Sequence, residues 1–357
     1  MRILQIIDSL EAGGSERMAI NYANALVSEI EFSGLVATRK EGPLLTQIDP
    51  KVPYLFLNKK KQLDLGALFR LRSFVLKNKV THIHAHSTSF FLAFLLKMLH
   101  PSVKTIWHDH YGSSEFLSRR PRFVLRMILP FFKGTIVVNQ KLKKWSEEEL
   151  KIKNVLYLPN FAITEEGVDE HTILKGKEGK RIVSLANLRP QKNHSLLLEV
   201  ARKLKKSYSD WTFHLVGKDF DDSYSRQIKK WITDYGLENN VFLYGSRQDV
   251  KNILEQSSIA VLTSESEGLP VALLEYGLYK KAVVVTSVGE MPMIVRHGQN
   301  GFVVDSNNVE NFHQSLVDLI ENEVLRFTFG ETLFETVQGD YAGESVIKKY
   351  LNWVTQL

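Results

Sequence analysis

The chain has 357 residues, more than one hydrophobic core usually organises, and its 44% apolar content is enough for two domains. It contains no cysteine, which excludes disulfides and thiolate metal sites and suits a reducing compartment. The net charge of +6 is unevenly spread: 25 basic residues face 17 acidic ones through residue 175, and 21 face 23 thereafter. The positive first half therefore points to an anionic partner such as a membrane surface, a lipid diphosphate or a nucleic acid.

The opening stretch MRILQIIDSLEAGG has one basic residue and a short apolar run broken by Asp8, unlike a signal peptide. No run approaches the ~20 apolar residues that span a bilayer, so the expectation is a soluble, cytoplasmic protein. Short apolar runs alternate with longer amphipathic stretches twice along the chain, which predicts an α/β protein with two βα-repeating domains and parallel sheets. RILQIID, SGLVAT, VPYLFL, THIHAH, VKTIWH, GTIVVN and NVLYLP read as strands of the first domain. RIVSLAN, TFHLVG, VFLYG, IAVLTS, AVVVTS and GFVVD read as strands of the second.

After the first strand, DSLEAGGSER opens a helix, and Gly13 and Gly14 give a loop that a ligand can approach closely, with free amides at the helix start. The spacing is not GxGxxG, and a tight βα connection explains the glycines equally well. In THIHAH, His82, His84 and His86 alternate onto one face of a strand. At ~3.3 Å per residue the outer two lie roughly 13 Å apart, too far to share one metal ion. His86, at the carboxyl end, is placed to line a cleft, while His82 and His84 read as packed within the domain. WHDHYG sets His108 and His110 where another strand ends, within reach of a sugar hydroxyl or a leaving phosphate; a plain loop role is the alternative. SRRPRFVLRMILPFFKG, with four arginines, and FFLAFLLKMLH before it could lie on anionic lipid, although burial against the sheet explains most of their apolar residues.

The polar stretch from about Asn160 to Lys180 reads as a hinge. Next, LANLRPQKNHSLLLEVA places Arg189 and Lys192 on a short loop at the carboxyl end of a strand, where an open α/β sheet binds ligands and a diphosphate needs positive charge. Asp219, Asp221 and Asp222 contain a D-x-D but precede a predicted helix, so capping is the expected role and no required metal is predicted. In SESEGLPVALLEYG, Gly268 loosens a turn and Pro270 suits the first position of a helix. Glu267 then sits on the loop and Glu275 inside the helix. A helix start favours phosphate, whereas two carboxylates favour hydroxyl groups, and the combination describes a nucleotide-sugar site. A last helix, 341–357, has no strand after it and is expected to cross back onto the first domain. The expected domains are 1–165, a hinge at 166–180, and 181–340.

Taken in order, AGGSE, THIHAH, WHDH, VVNQKL, YLPNF, LANLRPQKN, LVG, YGSRQDV, SESEGLPVALLEYG and SVGEMPMIVRHGQNGFVV resemble glycosyltransferase family 4 over nearly the whole chain. The resemblance implies the GT-B fold, two Rossmann-like domains facing across a cleft. It implies further that Glu275 binds the ribose, that Glu267 meets the donor sugar, and that Gly268 and Leu269 offer backbone contacts. Lys192 would bind the diphosphate, Gly14 would approach the phosphates, and His108 would contact the transferred sugar, with His110 the second choice. Two positions depart from the pattern: Asn187 stands where many members have Arg, with Arg189 two residues later, and Met293 stands where the family often has Glu.

The expected activity is retaining, metal-independent transfer of a sugar from a nucleoside-diphosphate donor, uridine-linked, to a glycan or lipid-linked acceptor in cell-surface polysaccharide synthesis. No cofactor beyond the donor is expected, and peripheral contact of the basic domain with anionic membrane is an accompanying possibility. Rival readings are an epimerase or hydrolase of the same fold and a catalytically silent nucleotide-sugar-binding subunit. Nucleic acid is not an expected partner, since no aromatic-basic platform or recognition helix appears.

Overall fold

The computed structural model describes residues 1–163 and 171–357, so the expected hinge lies partly outside the described residues, at 166–170. The chain forms two compact units: Met1–Phe161 with Gly343–Leu357, and Ala162–Ala342.

The first unit runs β1 (Arg2–Ser9), α1 (Gly14–Leu26), β2 (Phe32–Lys40), β3 (Tyr54–Phe56), α2 (Leu65–Lys77), β4 (His82–His86), α3 (Phe90–Leu99), β5 (Lys104–Asp109), α4 (Phe123–Ile128), β6 (Gly134–Val137), α5 (Gln140–Glu148) and β7 (Val155–Tyr157). Its strands lie in the order β3-β2-β1-β4-β5-β6-β7, all parallel. Helices cover both faces of such a sheet, which is why β4 and β6 are buried along their whole length and read as continuous runs rather than alternating ones. Helix starts carry their own caps: Asp64 accepts from the Ala67 amide at 2.9 Å ahead of α2, and Asn139 accepts from the Leu142 amide at 2.7 Å ahead of α5.

The second unit runs β8 (Arg181–Leu185), α6 (His194–Leu204), β9 (Thr212–Val216), α7 (Ser223–Asp234), β10 (Val241–Gly245), α8 (Val250–Glu255), β11 (Ile259–Leu262), α9 (Val271–Leu278), β12 (Ala282–Thr286), α10 (Met291–Ile294), β13 (Phe302–Val304), α11 (Val309–Glu321) and α12 (Glu323–Asp340). The parallel order is β10-β9-β8-β11-β12-β13. Asp222, directly after the D-x-D of Asp219 and Asp221, caps α7 through the Ser225 amide at 2.9 Å, as expected of an aspartate there. The described part of the expected hinge is not a free linker. Thr172 donates to Asp249 from both its amide and its hydroxyl, at 2.5 and 2.9 Å, and the Leu174 amide donates to Gln256 at 3.0 Å.

The last helix, α13 (Gly343–Thr355), belongs to the first unit. Tyr350 packs at 5.0 Å between ring centroids from Tyr22 of α1 and stacks on His84 at 5.2 Å. Trp353 donates from its indole to Asn154 at 3.1 Å and lies over Gly134, where a Cβ would come within 2.5 Å of the ring.

In each sheet the strand order reverses once, between β1 and β4 in the first and between β8 and β11 in the second. Loops leaving the carboxyl ends of strands at such a point splay apart and leave a crevice where open α/β sheets bind ligands. The loop after β1 ends in Gly13, with Gly14 opening α1, and His86 is the last residue of β4. The loops after β8 and β11 carry Arg189, Lys192 and Glu267.

Candidate functional site

In the first unit, parallel pairing sets His84 beside Ile106 and His86 beside His108, and this register gathers four imidazoles at one end of the sheet. His84 Nε2 lies 3.2 Å from His108 Nδ1, and His86 Nδ1 lies 3.0 Å from His110 Nε2. His86 Nε2 donates to Gln5 Oε1 at 2.9 Å, which fixes its tautomer: its Nδ1 must accept from His110. Tyr22 closes the cluster from below, with ring centroids 5.1, 6.0 and 5.7 Å from His84, His86 and His108. Burial holds His84, His86 and His108 far below the ordinary imidazole pKa and lowers His110 to about 3, so all four are neutral at physiological pH.

A neutral imidazole has one N–H, so within the His84–His108 pair one N–H donates and the other is left over. His84 Nδ1 and His108 Nε2 have no hydrogen-bond partner among the described residues. His108 is fully buried, whereas His110, stacked on it at 3.9 Å, is partly exposed. The residue between them points elsewhere. Asp109 is buried and takes a bidentate bond from Arg120 at 2.6 and 2.9 Å, and the guanidinium is packed between Tyr111 and Trp145.

One nitrogen from each of His84, His86 and His108 lies within 4.8 Å of the others. Distance along one strand argues against a site shared by His82, His84 and His86, but it cannot see His108 arriving from the neighbouring strand. Nitrogens around a tetrahedral zinc stand roughly 3.4 Å apart; here His84 Nε2 and His108 Nδ1 are engaged with each other and His86 Nε2 with Gln5.

Gly13 is the N-cap residue of α1, in extended conformation, and among the described residues no atom beyond the neighbouring chain and helix backbone lies within 4 Å of where a Cβ on Gly14 would stand. Packing within the protein therefore does not require glycine at position 14. Ser87, directly after β4, holds a left-handed φ of 50°, and its carbonyl accepts from the Trp107 indole at 2.9 Å. A non-glycine residue in that region is uncommon and marks a loop held by its surroundings.

In the second unit the loops after β8 and β11 are laced together. The Glu265 amide donates to the Gln191 carbonyl at 2.9 Å, and the Thr263 hydroxyl donates to the Lys192 carbonyl at 2.9 Å. Lys192 Nζ is ion-paired with Glu267, whose same carboxylate oxygen accepts from the Ser264 hydroxyl at 2.6 Å. Glu267 is nearly buried, as is Glu275 one helix turn and more beyond it in α9. Pro270 is the N-cap residue rather than the first helical one, a shift of one position from the expectation. Leu269 buries its side chain. Gly289 has a φ of 58°, and a Cβ there would stand 2.5 Å from the carbonyl oxygens of both Glu267 and Gly268, so only glycine fits. The Glu290 amide next to it donates to the Gly268 carbonyl at 2.9 Å.

Arg189 stacks over Phe220 at 4.8 Å, and Lys218 approaches the same ring at 5.4 Å. Asn187 accepts from the Lys218 amide at 2.7 Å, so the residue at the Arg position ties two loops together. Met293 is exposed. Sequence reasoning missed Tyr276, which follows Glu275. Its hydroxyl takes the Leu185 amide at 2.7 Å and donates to the Val261 carbonyl at 3.3 Å, joining β8 to β11 at the reversal point. Burial raises its pKa, and the charges of Glu275 and Glu267 add to the shift. Its only sequence signal is adjacency to Glu275.

Residues 12–166 match the family model described as Glycosyltransferase Family 4, and residues 169–333 match Glycosyl transferases group 1. The chain is similar to an uncharacterised glycosyltransferase of Haemophilus influenzae, 26% identical over 95% of each chain. It is similar to the Escherichia coli UDP-Gal:alpha-D-GlcNAc-diphosphoundecaprenol alpha-1,3-galactosyltransferase, 25% identical over 87% of this chain and 86% of that one. In fold it is similar to the Anabaena protein Alr3699/HepE in complex with UDP and glucose, with a TM-score of 0.79, 19% identity and all of both chains covered. With two models that between them span most of its length, the chain belongs to the glycosyltransferases of the family 4 type, with the GT-B fold of two Rossmann-like domains.

Proposed function

We propose that this glycosyltransferase moves a sugar, with retention of configuration, from a UDP-sugar to a glycan or lipid-linked acceptor in cell-surface polysaccharide synthesis at the inner face of the membrane. The observation that carries the reading is the Lys192–Glu267 pair at the strand reversal of the second unit, with Glu275 buried nearby. An incoming diphosphate competes with Glu267 for the Lys192 ammonium. Once Lys192 turns to phosphate, the Glu267 carboxylate, still held by Ser264, is released to accept from sugar hydroxyls. Gly268 and Leu269 supply backbone contacts beside it, Arg189 adds charge, Gly14 leaves room for phosphate, and Glu275 accepts from the ribose. The E. coli relative's name, with its UDP-Gal donor and diphosphoundecaprenol-linked acceptor, supports both substrate classes.

The anomeric carbon–phosphate oxygen bond breaks, and the departing diphosphate is stabilised by Lys192. The acceptor hydroxyl forms the new bond on the same face and passes its proton to the leaving phosphate oxygen. Glu267 orients and stabilises positive charge on the sugar; it is not a covalent nucleophile in this reading. His108 is too deeply buried to touch the sugar directly, so His110 takes that contact and His108, with Gly13 and His86 around the same strand ends, positions it.

Because Lys192 and Arg189 supply the cationic charge, transfer is expected to persist in excess chelator. The test is transfer of sugar from UDP-linked donors to membrane-extracted glycolipid acceptors, with the product anomer read by NMR. An α-linked product from an α-linked donor, formed with chelator present, is expected. An inverted product, or activity abolished by chelator and restored by a divalent ion, would contradict the mechanism; donor binding without transfer would favour the silent subunit.

A further inference from the structure

We propose that the α3–α4 face of the first unit is a docking surface for an anionic lipid bilayer, seated by an apolar ridge and held by a collar of cations. The inference deepens the reading of a membrane-linked acceptor and rests on it for purpose, but its physical basis is independent of the donor site.

α4 and the turn after it bury Leu125, Ile128, Leu129 and Phe132 against the core, and this leaves the opposite side to solvent. On that side stand Phe123, Val124 and Met127, which are 74%, 52% and 60% exposed, followed by Phe131. Phe123, Val124 and Met127, spaced i, i+1 and i+4, share one face of α4, and Phe131 stands in the turn directly beyond it. Charged residues would be the ordinary occupants of such positions. The ridge continues onto α3: Phe94 meets Phe131 with ring centroids 5.2 Å apart, and Met98 and Leu99 are exposed at the end of that helix. The two segments whose sequence allowed a lipid contact are thus neighbours in space.

Along the same segment stand Arg119, Arg122, Arg126 and Lys133, all exposed, and among the described residues Glu149 is the one acid bonded to them. Arg122 and Arg126 share Glu149, and Arg126 also donates to its carbonyl at 2.5 Å, so these two guanidinium groups are held at the surface. A contiguous apolar ridge rimmed by cations matches the two layers of a bilayer surface, acyl boundary inside and anionic headgroups around it. A protein partner would have to supply both an apolar groove and an acidic rim. Among the described residues no helix is long and apolar enough to cross a membrane, so the contact is a surface one.

Cosedimentation with vesicles tests this directly, using phosphatidylcholine alone or mixed with phosphatidylglycerol. The full chain is expected to bind the mixed vesicles, to bind the neutral ones far less, and to lose binding as salt rises. F123S with M127S, two exposed positions outside the donor site, should lower partitioning about tenfold or more, while circular dichroism and the UDP-induced thermal shift stay as in wild type. R119E should weaken binding to anionic vesicles only. Wild-type protein that stays in the supernatant with anionic vesicles overturns the proposal, as does F123S/M127S binding like wild type. A wild-type dimer that the double variant converts to monomer, without vesicle binding, would assign the ridge to a second copy of the chain instead. Since the UDP shift is read in the same samples, failure of docking and failure of the donor site give different patterns.

Discussion

Lys192 and Glu267 are the residues on which the donor reading turns, and they are found bonded to each other rather than waiting apart. Two largely buried opposite charges in contact each lower the cost of burying the other. A substitution therefore acts twice. Lys192→Ala removes a diphosphate ligand and strands the Glu267 carboxylate, so it should weaken UDP binding by about 2 kcal/mol, roughly thirtyfold, and lower the melting temperature as well. Calorimetric titration alongside a melting curve reads both effects. Lys192→Ala with Glu267→Gln should recover the melting temperature but not the affinity, a pattern that would not arise if Lys192 were only a structural partner.

At the scale of elements, Arg120 shows how a sequence segment divides between two jobs. SRRPRF presents a run of cations, yet Arg120 turns inward to hold Asp109 at the end of β5, while its neighbours Arg119 and Arg122 stay in solvent. Arg120→Ala leaves a buried aspartate without its charge partner and is expected to cost about 3–5 kcal/mol in denaturant unfolding, whereas Arg119→Ala should stay within about 0.5 kcal/mol. All the sequence-read strands are present because each is a short apolar run, fully buried in inner strands such as β4, β6, β9, β11 and β12 and half-buried in β3, β7 and β13, and that signal is local. The E-x7-E helix and the lysine loop were equally legible, since glycine and proline punctuate them. Partnerships across strands were not: His108 meeting His84, Tyr276 pinning Leu185, and Asn187 tying the Lys218 loop depend on sheet register, which no single stretch of sequence states.

At the scale of the whole molecule, each unit has its own core, so unfolding need not be a single event. The first unit carries His84, His86, His108 and His110, held neutral by burial, and His82, lowered to about 4. In the unfolded chain these titrate near ~6.5. Below that pH the unfolded state binds protons the folded state refuses. Stability is therefore full above pH ~6.5 and falls as the pH drops toward 4, each such histidine adding a slope approaching about 1.4 kcal/mol per pH unit. Melting curves from pH 7.5 to 5 should show the first unit losing stability faster than the second, where His194 and His214 are the histidines most depressed, to about 4 and about 3. The central claim, that the second unit is a nucleotide-sugar donor site built on Glu275, Glu267 and Lys192, is most directly tested by calorimetric titration of UDP into wild type and Glu275→Ala. The account predicts one-to-one binding in wild type and a loss of about tenfold or more in the variant with its melting temperature nearly unchanged. Equal affinity in the two proteins, or no binding of UDP to a folded wild type, would contradict it.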